Sequence, residues 1–171
     1  MKERKGLITM KGNALTLVGN KVKVGELAPD FEVLDNDLKP LKLSSFHSKV
    51  CIISSVPSLD TSVCDTMTRR FNQEAGNLGE NVAVLTISMD LPFAQKRWCG
   101  AAGVNNVQTL SDHRQTSFGT AFGVLIKELR LLARAVFVVD KNGIIRYIQI
   151  VGELTNEPDY EAVLKVVNEL L

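Results

Sequence analysis

Apolar and polar residues alternate at the start of the chain, and the period then changes. Leu7-Ile8-Thr9-Met10, the turn residues Lys11-Gly12-Asn13 and the run Ala14-Leu15-Thr16-Leu17-Val18 predict a β-hairpin. Residues 25–31 break regular structure, and the apolar stretches 31–34 and 41–43 predict a second short hairpin, so residues 1–47 read mainly as an antiparallel extension. From Val50 onward, apolar runs at 50–56, 81–88 and 107–110 have the continuous character of strands buried on both faces. Two helical periods separate them. Val63, Met67, Phe71, Ala75 and Leu78 recur at spacings of four and three over 62–78, opposite Arg69, Arg70, Gln73 and Glu74, and a second helix at 92–101 carries Pro92 in its first turn.

The later half predicts a short helix at 116–122, a strand at 135–139, and the turn Asp140-Lys141-Asn142-Gly143 leading into a strand at 144–151, since Asn-Gly between two β-rich runs is a strong hairpin signal. A last helix from about Pro158 places Tyr160, Val163, Leu164, Val167 and Leu171 on one apolar stripe. The order β-α-β-α-β, then β-β-α, is that of an α/β thioredoxin-like fold decorated by an N-terminal β-hairpin. No repeat, low-complexity tract or long linker divides the 171 residues, so a single domain over 1–171 is expected.

Composition narrows the picture. A hydrophobic share of 45% fills a core without help from metal or disulfides, and a net charge of +1 lacks the basic footprint that a nucleic-acid partner requires. The basic residues Lys2 to Lys5 are not followed by a long apolar run, so the reading is no signal peptide, no membrane span and a cytoplasmic location. Three unevenly spaced cysteines and two distant histidines, His47 and His113, match neither a disulfide scaffold nor a zinc site. No glycine-rich phosphate loop follows a strand, and no cofactor is expected.

The chemistry concentrates in Pro57-Ser58-Leu59-Asp60-Thr61-Ser62-Val63-Cys64, which joins a buried strand to a helix start. Cys64 falls in the first helical turn, where unpaired N–H groups and the positive end of the helix dipole favour a thiolate. An ordinary cysteine, with a pKa near ~8.5, is only about 3% thiolate at pH 7, and lowering it by two units takes about 2.7 kcal/mol. A helix terminus supplies at most ~2 kcal/mol, so a further cation is needed, and an arginine is expected. Asp65 opposes the thiolate unless it points elsewhere. Thr61, three residues before the cysteine, places its hydroxyl near the sulfur while capping the helix, a role Asp60 or Ser62 could share. Pro57 has no N–H and shields the sulfur. Cys51 sits mid-strand among Val50, Ile52 and Ile53 and reads as a packing residue, while His47 and His113 read as surface or capping groups.

Pro-x-x-x-Thr-x-x-Cys resembles the active-site pattern of peroxiredoxins. Five segments, Pro57–Thr61, Asp90-Leu91-Pro92-Phe93-Ala94-Gln95, Arg97-Trp98-Cys99-Gly100, Ala133-Arg134-Ala135-Val136 and Asn156-Glu157-Pro158-Asp159-Tyr160, are similar to the bacterial thiol peroxidase subfamily and span nearly the whole chain. The resemblance implies that Cys64 is the peroxidatic cysteine and Cys99 the resolving one, joined in a transient intramolecular disulfide. It implies that Thr61 hydrogen-bonds the thiolate and the peroxide, that Pro57 shields the site, and that Arg134 supplies the cation. Arg134 also opens an otherwise apolar strand, where a bare charge needs a partner, a thiolate or alternatively a carboxylate. Hydroperoxide as substrate, a homodimer and a part in antioxidant defence follow from the same resemblance, and thioredoxin is expected as reductant because a resolved disulfide must be exchanged by an external dithiol. Ser62 stands where the subfamily often has Gly, and Trp98 where it often has Phe.

The expected reaction is attack of the Cys64 thiolate on ROOH to give a sulfenic acid, which Cys99 then attacks. A disulfide requires Cα atoms about 4.4 to 6.8 Å apart, closer than two cysteines on successive helices are expected to lie, so local unwinding is predicted. Two other classes compete. A disulfide oxidoreductase on this fold would carry Cys-x-x-Cys, but Cys64 is followed by Asp65-Thr66-Met67. A redox sensor would pass its oxidation to a partner protein without turnover.

Overall fold

The structure, a computed structural model, describes residues 1–171. β1 (Glu3–Met10) and β2 (Asn13–Val18) form the first predicted hairpin, with Met10 opposite Asn13. Lys11 and Gly12 carry φ of 49° and 80°, the paired left-handed conformation that a two-residue turn between twisted strands demands. β3 (Glu32–Leu34) and β4 (Pro40–Lys42) follow, then a 3-10 turn (Leu43–Phe46), β5 (Val50–Ser55), α1 (Ser62–Leu78), β6 (Val82–Ser88), α2 (Pro92–Ala102) and β7 (Gln108–Ser111). The chain continues through α3 (Ser117–Ala121), β8 (Leu125–Ile126), β9 (Ala135–Val139), β10 (Ile145–Ile150) and α4 (Tyr160–Leu170).

A seven-stranded sheet has the order β10-β9-β5-β6-β7-β3-β4, with β5, β6 and β7 parallel and the flanking pairs antiparallel. The second hairpin is therefore not peripheral. It extends the central sheet, because β3 docks on β7 through Leu34 opposite Ser111 and buries Val33 and Leu34. The strand β8, too short to leave a period in the sequence, pairs with Leu17 and Val18 and completes a separate three-stranded sheet with the first hairpin.

Alternation along β5 divides the core. Val50 and Ile52 face one side with Met67, Phe71, Val163 and Val167 of α1 and α4, whereas Cys51 and Ile53 face the other with Phe31, Phe118, Phe122 and Phe137. Each such fully buried side chain contributes roughly 1.5–3 kcal/mol relative to exposure. On α4 the stripe ends differently from the sequence reading: Leu170 packs on the core and Leu171 is exposed, since the helix ends at Leu170 and the last residue has no helical direction to follow. Asp159 caps this helix by accepting the Ala162 N–H. β5 and β6 both end at the same edge of the sheet, and the loops leaving them build the site.

Candidate active site

The loop that leaves β5 is fastened from three sides. Ser55 Oγ donates to the Ala133 carbonyl at 2.7 Å, and Val56 N–H donates to Ile87. Pro57 is buried and, lacking an N–H, leaves no donor to satisfy there. Asp90, two residues beyond β6, then holds the turn: its carboxylate accepts Ser58 Oγ at 2.7 Å, Leu59 N–H at 2.8 Å and Ser88 Oγ at 2.7 Å. Gln95, wholly buried on α2, donates to Ser88 Oγ and to the Leu110 carbonyl, which ties that carboxylate's partner to the next strand. Neither periodicity nor spacing marks Asp90; its signal in the sequence is a carboxylate just after a strand end, closely following a serine.

Thr61 is the residue before the first turn of α1, as expected, but its hydroxyl does not cap the helix. It donates instead to the Ser58 carbonyl at 3.0 Å, the same oxygen that accepts the Thr61 N–H at 3.2 Å across the tight turn 58–61. Neither Asp60 nor Ser62 supplies a cap, so the first-turn N–H groups stay available to an anion. The proton of Thr61 is committed to Ser58, and its oxygen lone pairs are left to accept from a ligand.

Cys64 is the third residue of α1 and is fully buried, packed in the cluster of Val56, Leu59, Met67, Phe71 and Val136. The buried face of the helix runs through Cys64, Met67, Thr68 and Phe71, and Val63 turns to the surface instead. A depression of about 320 Å³, lined by Ser62, Val63, Thr66, Thr155, Asn156 and Glu157, lies over this turn. Asp65 is drawn away from the sulfur: its carboxylate accepts Arg69 Nε at 2.9 Å and Trp98 Nε1 at 3.0 Å.

Arg134 is only 2% exposed and lies immediately before β9. Its Nε and Nη2 both donate to the Leu154 carbonyl, at 3.0 and 2.8 Å, and Nη1 reaches Met67 Sδ at 3.6 Å. No carboxylate pairs with it, so the alternative of a plain arginine–carboxylate ion pair is overturned. Met67 stands one turn beyond Cys64 on the same face of α1, so the guanidinium faces the turn that carries the sulfur. A buried cation held only by a carbonyl and a thioether is incompletely compensated.

Cys99 lies on α2 and looks elsewhere. Its Sγ is 3.2 Å from Thr109 Oγ1, whose proton goes to Asn36 Oδ1, so the thiol is the donor in that contact. It lines a depression of about 300 Å³ with Asp35, Asn36 and Asp37. All three cysteines are free thiols. Cys51, at the far end of β5, is 2% exposed, and burial pushes its thiol up to about 11. It borders a cavity of about 310 Å³ with Leu27, Pro29, Leu43 and Phe46, well removed from the loops described above. His47 is exposed beside that cavity, and His113 follows β7 in a loop.

The Redoxin family pattern matches residues 23–164. The chain is 60% identical to a thiol peroxidase of Oceanobacillus iheyensis over 95% of its own length and 98% of that protein's. It is 59% identical to a thiol peroxidase of Bacillus subtilis, over 96% of this chain and 98% of that one. Among solved structures, a peroxiredoxin-like protein from Aquifex aeolicus superposes with a TM-score of 0.91 at 43% identity, covering 98% of this chain and 99% of that one. A thiol peroxidase from Chromobacterium violaceum, 20% identical, shares the fold with a TM-score of 0.84 over 95% of each chain.

Proposed function

The chain belongs to the redoxin family as a peroxiredoxin-type thiol peroxidase, and from that premise we propose that its turnover runs on Cys64 as the attacking sulfur and Cys99 as the resolving one. A thiol peroxidase takes a peroxide as substrate and a thiol as reductant. The observation that carries the assignment is the setting of Cys64: first turn of α1, wholly buried, on the face toward a guanidinium that has no carboxylate partner.

The Cys64 thiolate attacks the terminal oxygen of ROOH; the S–O bond forms as the O–O bond breaks, and the departing alkoxide takes a proton to become ROH. The electrons come from the sulfur, which is left as a sulfenic acid. Arg134 and the first-turn N–H groups face the negative charge that builds on the oxygens, and the free lone pairs of Thr61 accept the peroxide O–H. Pro57 closes the apolar side of the site without adding a donor.

Cys99 then attacks the sulfenic sulfur, forming the intramolecular disulfide with loss of water, and an external dithiol of the thioredoxin class restores both thiols by exchange. Hydrogen peroxide and alkyl hydroperoxides as substrates, a role in antioxidant defence, a cytoplasmic location and a homodimer belong to the same proposal and rest on the family resemblance. No helix is long and apolar enough to cross a membrane.

A thioredoxin–thioredoxin reductase coupled assay tests this. Cys64→Ser is expected to be inactive, and Cys99→Ser to consume about one equivalent of peroxide and stop. Undiminished turnover by Cys64→Ser would overturn the assignment.

A further inference from the structure

The two helices that carry the cysteines are joined along a polar seam. Trp98 Nε1 donates to Asp65 Oδ1 at 3.0 Å, Arg69 Nη1 donates to the Ala102 carbonyl at 3.2 Å, and Asn72 Oδ1 accepts the N–H groups of Asn105 and Asn106 at 3.2 and 2.7 Å. Arg69 also pairs with Asp65 Oδ2 at 2.9 Å, and its guanidinium lies 5.7 Å from the centre of the Trp98 ring. The upper end of this seam is therefore a closed triangle, and two of its corners, Asp65 and Trp98, each sit one residue from a redox cysteine.

Trp98 and Cys99 face in different directions. The indole reaches across to α1, whereas the Cys99 thiol reaches Thr109 on β7 and Asn36. Successive helical residues are about 100° apart, so any motion that turns Cys99 toward α1 swings Trp98 off Asp65. A bond between Cys64 and Cys99 would therefore form at the expense of the indole–carboxylate contact.

We infer that Asp65, Arg69 and Trp98 form a latch that holds α2 in its reduced packing, and that the ease of opening it sets how fast Cys99 resolves the Cys64 sulfenic acid. This rests on the Cys64 and Cys99 roles proposed above. Arg69 is 50% and Asp65 34% exposed at their side chains, so each contact is weak enough to break during turnover. The lower anchor needs no such release: Asn72 grips residues 105 and 106 beyond Gly103, whose φ of 67° ends α2. The resolving step itself balances simply: the Cys99 sulfur attacks the sulfenic sulfur, the hydroxide leaves, and the Cys99 proton converts it to water. Until that happens the sulfenic acid is open to a second peroxide, so a slow latch favours sulfinic acid. Trp98 and Arg69 act here as positioning residues.

The test compares wild type with Trp98→Phe, which keeps a ring but no N–H, and with Arg69→Gln, a half-exposed change that leaves the indole in place. Rapid quench, alkylation and peptide mass analysis follow Cys64–Cys99 closure, and the first oxidation is timed separately in a Cys99→Ser background. Closure is expected to accelerate roughly three- to tenfold in Trp98→Phe and less in Arg69→Gln, with the first oxidation unchanged within about twofold. The peroxide needed to drive half of Cys64 to sulfinic acid rises in parallel. In wild type, the emission of Trp98, the sole tryptophan, should change with closure and not with the first oxidation. Closure at the wild-type rate in both variants would overturn the latch while leaving the cysteine roles intact. Absence of a Cys64–Cys99 disulfide in wild type would remove those roles and the latch together.

Discussion

Arg134 grips the Leu154 carbonyl with both Nε and Nη2, at 3.0 and 2.8 Å, and this fork fixes the guanidinium beside the turn that carries Cys64. In the proposed mechanism the cation is thereby aimed before any peroxide arrives, the condition under which electrostatic stabilisation costs no reorganisation during the reaction. Arg134→Met is expected to slow the first oxidation about 10²-fold or more in a single-turnover assay. Its stability should change little, because relief of a buried, unpaired charge offsets the carbonyl left without donors, which costs about 1–3 kcal/mol. Arg134→Lys, which keeps charge but not the fork, should fall between. A normal oxidation rate in Arg134→Met would remove the cation from the mechanism.

Asp90 holds the loop that leaves β5 and leads to Cys64. Asp90→Ala leaves Ser58 Oγ, Leu59 N–H and Ser88 Oγ without their acceptor. A hydrogen bond to a charged group contributes about 1.5–3 kcal/mol, so a lowered melting temperature and faster hydrogen exchange at Leu59 are expected. The rate should fall because the turn before Cys64 loosens. Asp90→Asn, which retains one acceptor oxygen, should recover part of both losses.

Cys51 is a thiol that burial keeps protonated, pushed up to about 11 from the ordinary cysteine range. Native protein should leave it unmodified by iodoacetamide at pH 8, and Cys51→Ala should retain full turnover at a cost of about 1 kcal/mol in stability. Its folded value is raised, so the stability linked to it is intact below about 9 and is lost as pH climbs toward 11. Rapid labelling of Cys51 at pH 8 in the folded enzyme would contradict this.

Asp112 shows the same sign at lower pH. It is 2% exposed, and burial pushes it up to about 6 even though it accepts N–H bonds from Phe118 and Gly119. The folded state holds this proton more tightly than the unfolded chain, so the linked stability is complete below about 4 and disappears as pH rises through 6. The shift corresponds to about 3 kcal/mol. The difference between the melting temperatures of wild type and Asp112→Asn, followed from pH 4 to 7, isolates the effect and should vary most across that window.

The periodic elements were legible in the sequence because burial imposes its period directly: α1 runs over the residues that its spacing predicts, and Ala135–Val139 forms β9 as read. What stayed hidden depends on side-chain direction and on partners distant in the chain. Of the predicted stripe on α1, Met67, Phe71, Ala75 and Leu78 pack on the core and Val63 alone does not, Cys64 taking the buried place in the first turn, while the Thr61 hydroxyl bonds the Ser58 carbonyl rather than the helix N–H groups. A strand of two residues such as β8 leaves no period, and β3 could be joined to the central sheet only by its contact with β7. Cys64, Thr61 and Pro57 could be picked out from their place at a strand-to-helix junction, whereas Cys99 and Arg134 came through the motif resemblance. Chemistry alone demanded a cation, and the structure supplied its neighbours, Leu154 and Met67.

The most direct measurement is peptide mass analysis of reduced protein given one equivalent of peroxide and then alkylated. The account predicts one intramolecular bond between the peptides bearing Cys64 and Cys99, with Cys51 recovered as a free thiol, and a stable sulfenic acid at Cys64 when Cys99 is serine. Cys64 recovered as an alkylated thiol while peroxide is consumed, or a disulfide that includes Cys51, would contradict it.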